Sequence, residues 1–90
     1  MRVIVTVIGG DKVGIIYNVT KVAFENNINI LDINQTVMDG DVFTMMMMVD
    51  TEGMTCGFEE LVAAYDKVGA ELGVSIHVQR EDVFNAMHSI

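Results

Sequence analysis

Basic residues and cysteine are scarce in this chain, and proline is absent altogether. Five lysines and arginines stand against 13 aspartates and glutamates, a formal charge of −8. A field of that sign repels phosphate backbones and anionic membrane surfaces, so neither nucleic acid nor membrane is an expected partner. The single cysteine, Cys56, excludes a disulfide framework within one chain and suits a reducing compartment. No apolar run approaches the ~18 residues of a membrane span, and no charged-then-apolar segment opens the chain. The expectation is a soluble, cytoplasmic protein. There is no low-complexity linker and no repeat of solenoid length, so residues 1–90 are expected to form one domain.

What is abundant is apolar side chain, 51% of the residues. A chain of this size buries only about 60–65% of the surface that it exposes when unfolded. With no disulfide available, oligomerisation is the expected source of further stability. The first strand is predicted over Arg2 to Ile8, with Val3, Val5 and Val7 on one face and Ile4, Thr6 and Ile8 on the other. Two apolar faces mark a central strand covered on both sides. A helix is predicted from Lys12 or Val13 to Glu25 or Asn26, its stripe formed by Ile15, Ile16, Val19, Val22 and Ala23. Asn26-Asn27 suits its end, because asparagine tolerates the left-handed conformation.

The second strand reads from Asn29 to Met38, with Leu31, Ile33, Gln35 and Val37 on one face and Ile30, Asp32, Asn34, Thr36 and Met38 on the other. Asp39-Gly40 is a hairpin signal that makes the third strand, Asp41 or Val42 to Asp50, antiparallel to it. The run Met45-Met46-Met47-Met48 alternates across that strand, so four thioethers cannot converge on one soft ion. Packing by adaptable side chains on both faces is the better account. A second helix follows from Gly57 to Leu72, with Phe58, Leu61, Val62, Tyr65, Val68 and Leu72 at helical spacing and Gly73 as its C-cap. Val74, Ile76 and Val78 alternate in a fourth strand. Val83, Phe84 and Met87 then predict a short apolar turn or helix that packs on a sheet face or on a partner subunit. The order βαββαβ plus a tail is α+β and ferredoxin-like: a four-stranded antiparallel sheet with two helices on one face and a short C-terminal helix.

Gly9-Gly10-Asp11-Lys12-Val13-Gly14 joins the first strand to the first helix. Glycine permits φ > 0 and close approach to the main chain, and Asp11 is a candidate N-cap. Such a corner presents unpaired N–H groups that favour an anionic or carboxylate ligand. A bare βα turn is the simplest alternative. The fold hosts many functions. An RNA-recognition module needs exposed aromatics among basic residues, whereas Phe43 stands almost alone among aliphatic residues and methionines. A soft-metal chaperone needs cysteines in the first loop and an acylphosphatase-like enzyme needs an arginine there. This loop offers only Lys12.

The run Val3-Ile4-Val5-Thr6-Val7, the corner Gly10-Asp11-Lys12-Val13-Gly14-Ile15-Ile16, and Asn27-Ile28-Asn29-Ile30-Leu31-Asp32-Ile33 with Gln35 resemble the ACT domain. The resemblance covers residues 1 to about 79, and the tail from Gln79 to His88 is similar to that of small stand-alone ACT proteins of bacteria and archaea. It implies a regulatory module of amino-acid metabolism without catalytic activity or cofactor. It further implies a homodimer or higher homo-oligomer, joined edge to edge or face to face. An amino acid or similar small ligand would bind between the first loop and a neighbouring subunit's second strand. Carried over, the ligand-binding candidates are Gly10, Asp11, Lys12, Val13 and Gly14, with Asn29 and Ile30 across the interface. Binding would then depend on Gly14.

The rival from another class is a protein–protein interaction module that binds no small ligand and uses the apolar tail and second sheet face. A third reading joins the two, with the ligand switching a protein partner. Enzyme chemistry has little support. Cys56 near a helix start has no positioned base and reads as a packing or capping residue. His77 and His88, even with Glu81, lack the spacing of a metal site.

Overall fold

The computed structural model describes residues 1–88, with side chains through residue 86. Its elements are β1 (Arg2–Gly10), α1 (Ile15–Glu25), β2 (Asn29–Met38), β3 (Val42–Asp50), α2 (Phe58–Leu72), β4 (Val74–Arg80) and α3 (Glu81–His88). The strands form one antiparallel sheet in the order β2-β3-β1-β4. This is the ferredoxin-like α+β arrangement, with α3 added after β4.

The apolar alternation of β1 decides its central place. Val3, Val5 and Val7 pair with Val49, Met47 and Met45 of β3. On the other side Val5 and Val7 pair with Val78 and Ile76 of β4. Cross-strand partners share a face, so these side chains make one apolar layer. Ile15, Val19, Val22 and Ala23 of α1 and Leu61 and Tyr65 of α2 close over it. Tyr65 is buried between the two helices, and its Oη donates a 2.9 Å hydrogen bond to the Val19 carbonyl. Gly69 lets α2 lie close on β4, since a Cβ there would stand 2.8 Å from the Val74 carbonyl oxygen.

The methionine run divides as alternation requires. Met45 and Met47 are buried among the helices, while Met46 and Met48 lie on the second face. That face is only half covered. α3 packs on β1 and β4, and its half-buried Phe84 shares a hollow with Thr6, Met46, His77 and Gln79. Ile4 is buried beneath this cover, at 4% exposure, whereas Ile8 on the same face is 46% exposed. Met87, whose side chain lies outside the described residues, was expected in the same apolar patch. Ile90 lies outside them altogether.

Three local expectations are corrected. The first strand does not end at Ile8 but continues through Gly9 and Gly10, which pair with Phe43 and Val42. The first helix begins at Ile15, not at Lys12 or Val13, with Gly14 in the N-cap position. Asp11 therefore does not cap it. In β2 the register slips by one residue between Ile30 and Asp32. The extra residue, Leu31, puts Ile30 on the same face as Ile33, Gln35 and Val37, opposite to Asp32, Asn34 and Thr36. The Asp39-Gly40 hairpin and the Asn26-Asn27 and Gly73 helix ends are found where expected. Asn27 (φ 55) and Gly73 (φ 70) both take the left-handed conformation.

Candidate functional site

The corner after β1 is held from three directions. The Asp11 N–H donates to the Asp41 carbonyl at 2.8 Å, which ties the corner to the β2–β3 hairpin. The Lys12 ammonium donates to the Leu72 carbonyl at the end of α2, where a cation also meets the negative end of the helix dipole. The Gly14 carbonyl accepts the Asn18 backbone N–H at 3.0 Å and the Asn18 Nδ2 at 2.7 Å. Gly14 itself has φ +95, a conformation that side chains with a Cβ adopt only with strain. A Gly14→Val change would distort the corner as well as any ligand site.

These contacts sort the candidates. Lys12 is occupied with α2. Asp11 is exposed and takes no part in capping. Val13 is fully exposed at 100%. No side chain caps α1 and no acidic residue lies in its first turn, so the positive end of the helix is left uncompensated. Asn29 and Ile30 lie elsewhere. Gly10 pairs with Val42, which pairs with Met38, so the corner sits at the Met38 end of β2. Asn29 pairs with Asp50 at the opposite end. The 11 residues of α1 lie between the two groups, about 16 Å at 1.5 Å per residue. Within one chain, the corner and the Asn29-Ile30 pair do not form a single pocket.

Asn29 and Ile30 instead help to line a groove of about 620 Å3 between α1 and the start of β2. Tyr17, Lys21 and Phe24 form its other wall and Ile28 its floor. Lys21 Nζ lies 6.0 Å from the Tyr17 ring centroid, within cation–π range. Tyr17 is 66% and Phe24 85% exposed. The sequence reading missed this wall. Its signal was present: Tyr17 and Phe24 fall seven residues apart on the helix side opposite the core stripe, where solvent-facing polar residues are the norm.

Cys56 is half-buried. Burial first, and the Glu60 carboxylate second, push its thiol above the ordinary cysteine range, the opposite of an activated nucleophile. His77 is exposed on the second sheet face next to Thr6, and the His88 side chain lies outside the described residues. Among the described residues, no group of three or more histidine, cysteine, aspartate and glutamate side chains is placed to hold a metal ion. No helix among them is long and apolar enough to cross a membrane.

Residues 1–79 match the sequence profile of the ACT domain. The chain belongs to the ACT-domain family. ACT domains are regulatory modules. The chain is 51% identical over 90 residues to a UPF0237 protein of Listeria monocytogenes, covering 100% of both chains. It is 50% identical over 89 residues to a UPF0237 protein of Methanococcus maripaludis, covering 99% of this chain and 98% of that one. Among solved structures it is similar to an ACT domain protein from Streptococcus pneumoniae, at 38% identity and a TM-score of 0.80 over 93% of each chain. The profile match ends at Gln79, so α3 lies outside the shared ACT unit. The Listeria relative aligns through it.

Proposed function

We propose that this ACT protein is a single unit, core 1–79 with tail 80–90, that acts in the cytoplasm as a homo-oligomer binding an amino acid or similar small ligand, with no catalysis or cofactor of its own. The observation that carries this reading is the relation between the corner and the β2 edge. Every β2 residue except half-buried Ile30 is exposed. Its ten residues carry one charge, Asp32, and neither lysine nor proline. The Leu31 bulge and Asp32 protect the start of this edge, but from Ile33 to Met38 it carries neither bulge nor charge against pairing with another strand. Leu31, Ile33 and Val37 add exposed apolar side chains along it.

Antiparallel pairing of two β2 edges about a two-fold axis sets the Asn29 end of one strand beside the Met38 end of the other. The Met38 end is where the corner lies. In such a dimer Asn29 and Ile30 of one copy approach Gly10, Asp11, Val13 and Gly14 of the next. First-turn N–H groups of α1 would take a ligand carboxylate. Asp11, released from capping, would take its ammonium, and Asn29 would hydrogen-bond either end. Lys12 would act indirectly, by fixing the corner on α2.

Calorimetric titration of the whole protein with each of the twenty amino acids tests the ligand. Heat with at least one, weakened about tenfold by Asp11→Asn and by Asn29→Ala, is the expected outcome. No heat at millimolar concentration overturns the ligand reading. Light scattering on size-exclusion fractions tests the assembly, with a dimer or larger expected and a monomer overturning it.

A further inference from the structure

The uncovered half of the second sheet face has a different character from both the corner and the β2 edge. α3 lies over β1 and β4 and leaves the outward side of β3 and β2 bare. Two strands at about 4.8 Å spacing leave a strip about 10 Å wide, one helix diameter. Met38, Val42 and Met46 are 38–56% exposed on this strip, and Ile8 of β1 borders it at 46%. Thr36, Thr44 and Asn34 lie between them around a hollow of about 280 Å3. The adjoining hollow, at Thr6 and Met46, is the one that takes Phe84 of α3. This sheet face thus already seats one helix by an aromatic side chain against threonine and methionine.

Charge narrows the occupant. Between Lys21 and Lys67 there is no lysine or arginine. Asp39 and Asp41 stand at the hairpin end of the strip, whereas at the other end Asp50 lies 3.7 Å from the N-terminal ammonium and beside Arg2, with Asp32 nearby. A methionine floor adapts to varied apolar side chains, and the acidic hairpin end at Asp39 and Asp41 selects the opposite sign. A second copy's α3 fits poorly, because it begins with Glu81 and Asp82 and the chain carries −8 overall. We propose that the bare β2–β3 face is a docking surface for a basic amphipathic helix of a partner protein. The helix would lie beside α3, its apolar stripe on Met46, Val42 and Met38 and its lysines or arginines on the hairpin aspartates. Edge pairing through β2 leaves this face open, so both can coexist.

A fluorescent peptide of about 18 residues, with leucines at i, i+3, i+4 and lysines opposite, is the probe. It is titrated into the full chain beside a version with glutamate in place of lysine. Binding is expected to weaken about tenfold in Met46→Lys and in Thr36→Lys, and about threefold in Asp39→Asn/Asp41→Asn. The control Asp66→Asn/Glu71→Gln removes the same charge from α2 and is expected to leave affinity unchanged. Amide shifts on binding are expected at Thr36, Val42, Thr44 and Met46. Three outcomes overturn the proposal: no binding of the basic peptide, equal binding of the acidic one, or shifts confined to other surfaces. An equal loss in the α2 control also overturns it, since net charge alone would then explain the binding. The outcome does not depend on whether any amino acid binds at the corner.

Discussion

β1 and β2 are strands of similar length, 9 and 10 residues, that end in opposite situations. β1 is almost wholly apolar, with Arg2 and Thr6 as its polar residues, whereas β2 mixes Ile30, Leu31, Ile33, Val37 and Met38 with Asn29, Asp32, Asn34, Gln35 and Thr36. β1 lies between two strands and beneath two helices, with Val3, Val5 and Val7 at 0% exposure. β2 lies at the edge, and not one of its residues is buried. The difference teaches that sheet position and composition go together in this fold, yet the edge keeps apolar side chains that no neighbour within the chain covers.

The sharpest way to break the comparison is to put the same charge on each strand. Val5→Asp buries a carboxylate where no cation is within reach, at a cost of several kcal/mol. It is expected to leave the chain unfolded, seen as loss of the cooperative transition in urea monitored by circular dichroism. A folded Val5→Asp protein would mean that the centre of the sheet is far more accessible than its burial implies.

The cover on the second face is weaker than that on the first. Phe84→Ala removes a half-buried ring from the Thr6–Met46 hollow and is expected to cost about 1.5–3 kcal/mol. The loss should be matched by deletion of residues 81–90 and by dye binding to newly exposed Ile4. Tyr65→Phe is expected to cost less, about 1 kcal/mol, because packing is kept and one hydrogen bond to the Val19 carbonyl is lost. Burial holds the Tyr65 hydroxyl far above the ordinary tyrosine range. The unfolded chain therefore releases this proton first as the solution becomes alkaline. Stability from Tyr65 is fully present below the unfolded value near 10 and declines as pH rises above it. Urea midpoints between pH 9 and 11 should fall less steeply in Tyr65→Phe; equal slopes would show that the hydroxyl is not shielded.

Most of the scaffold was legible in the sequence, because it depends on local chemistry. The stripe Ile15, Val19, Val22 and Ala23, the Asp39-Gly40 turn and the Asn26-Asn27 and Gly73 ends carry their reasons within a few residues. The misplaced features depend on distant partners. Lys12 meets Leu72 across 60 residues, and nothing near Lys12 announces that contact. The Leu31 bulge is settled by pairing with Val49 and Met48, and Leu31-Asp32-Ile33 looks like ordinary alternation. Asp11 resembled a cap because its residue type is right. A left-handed Gly14, anchored by Asn18, moves the helix start past it. The candidate site was legible only as two separate sets of residues, which lie at opposite ends of β2 within one chain.

Ile33→Asp leaves the core intact and is the most telling change for the comparison. Ile33 is 36% exposed on the edge strand, so a carboxylate there remains in contact with water. Protomer stability should fall by only about 1 kcal/mol, and the circular dichroism spectrum should match that of the parent. In an antiparallel β2–β2 pair the same substitution occurs twice near the seam, setting like charges close together where an apolar contact stood. Light scattering at micromolar concentration should then report a monomer for Ile33→Asp beside an oligomeric parent. If both proteins elute as the same oligomer, the β2 edge is not the joint, and the difference between β1 and β2 loses its functional meaning. If the variant is monomeric and has also lost the amino-acid response of the parent, the corner and the edge are two halves of one site.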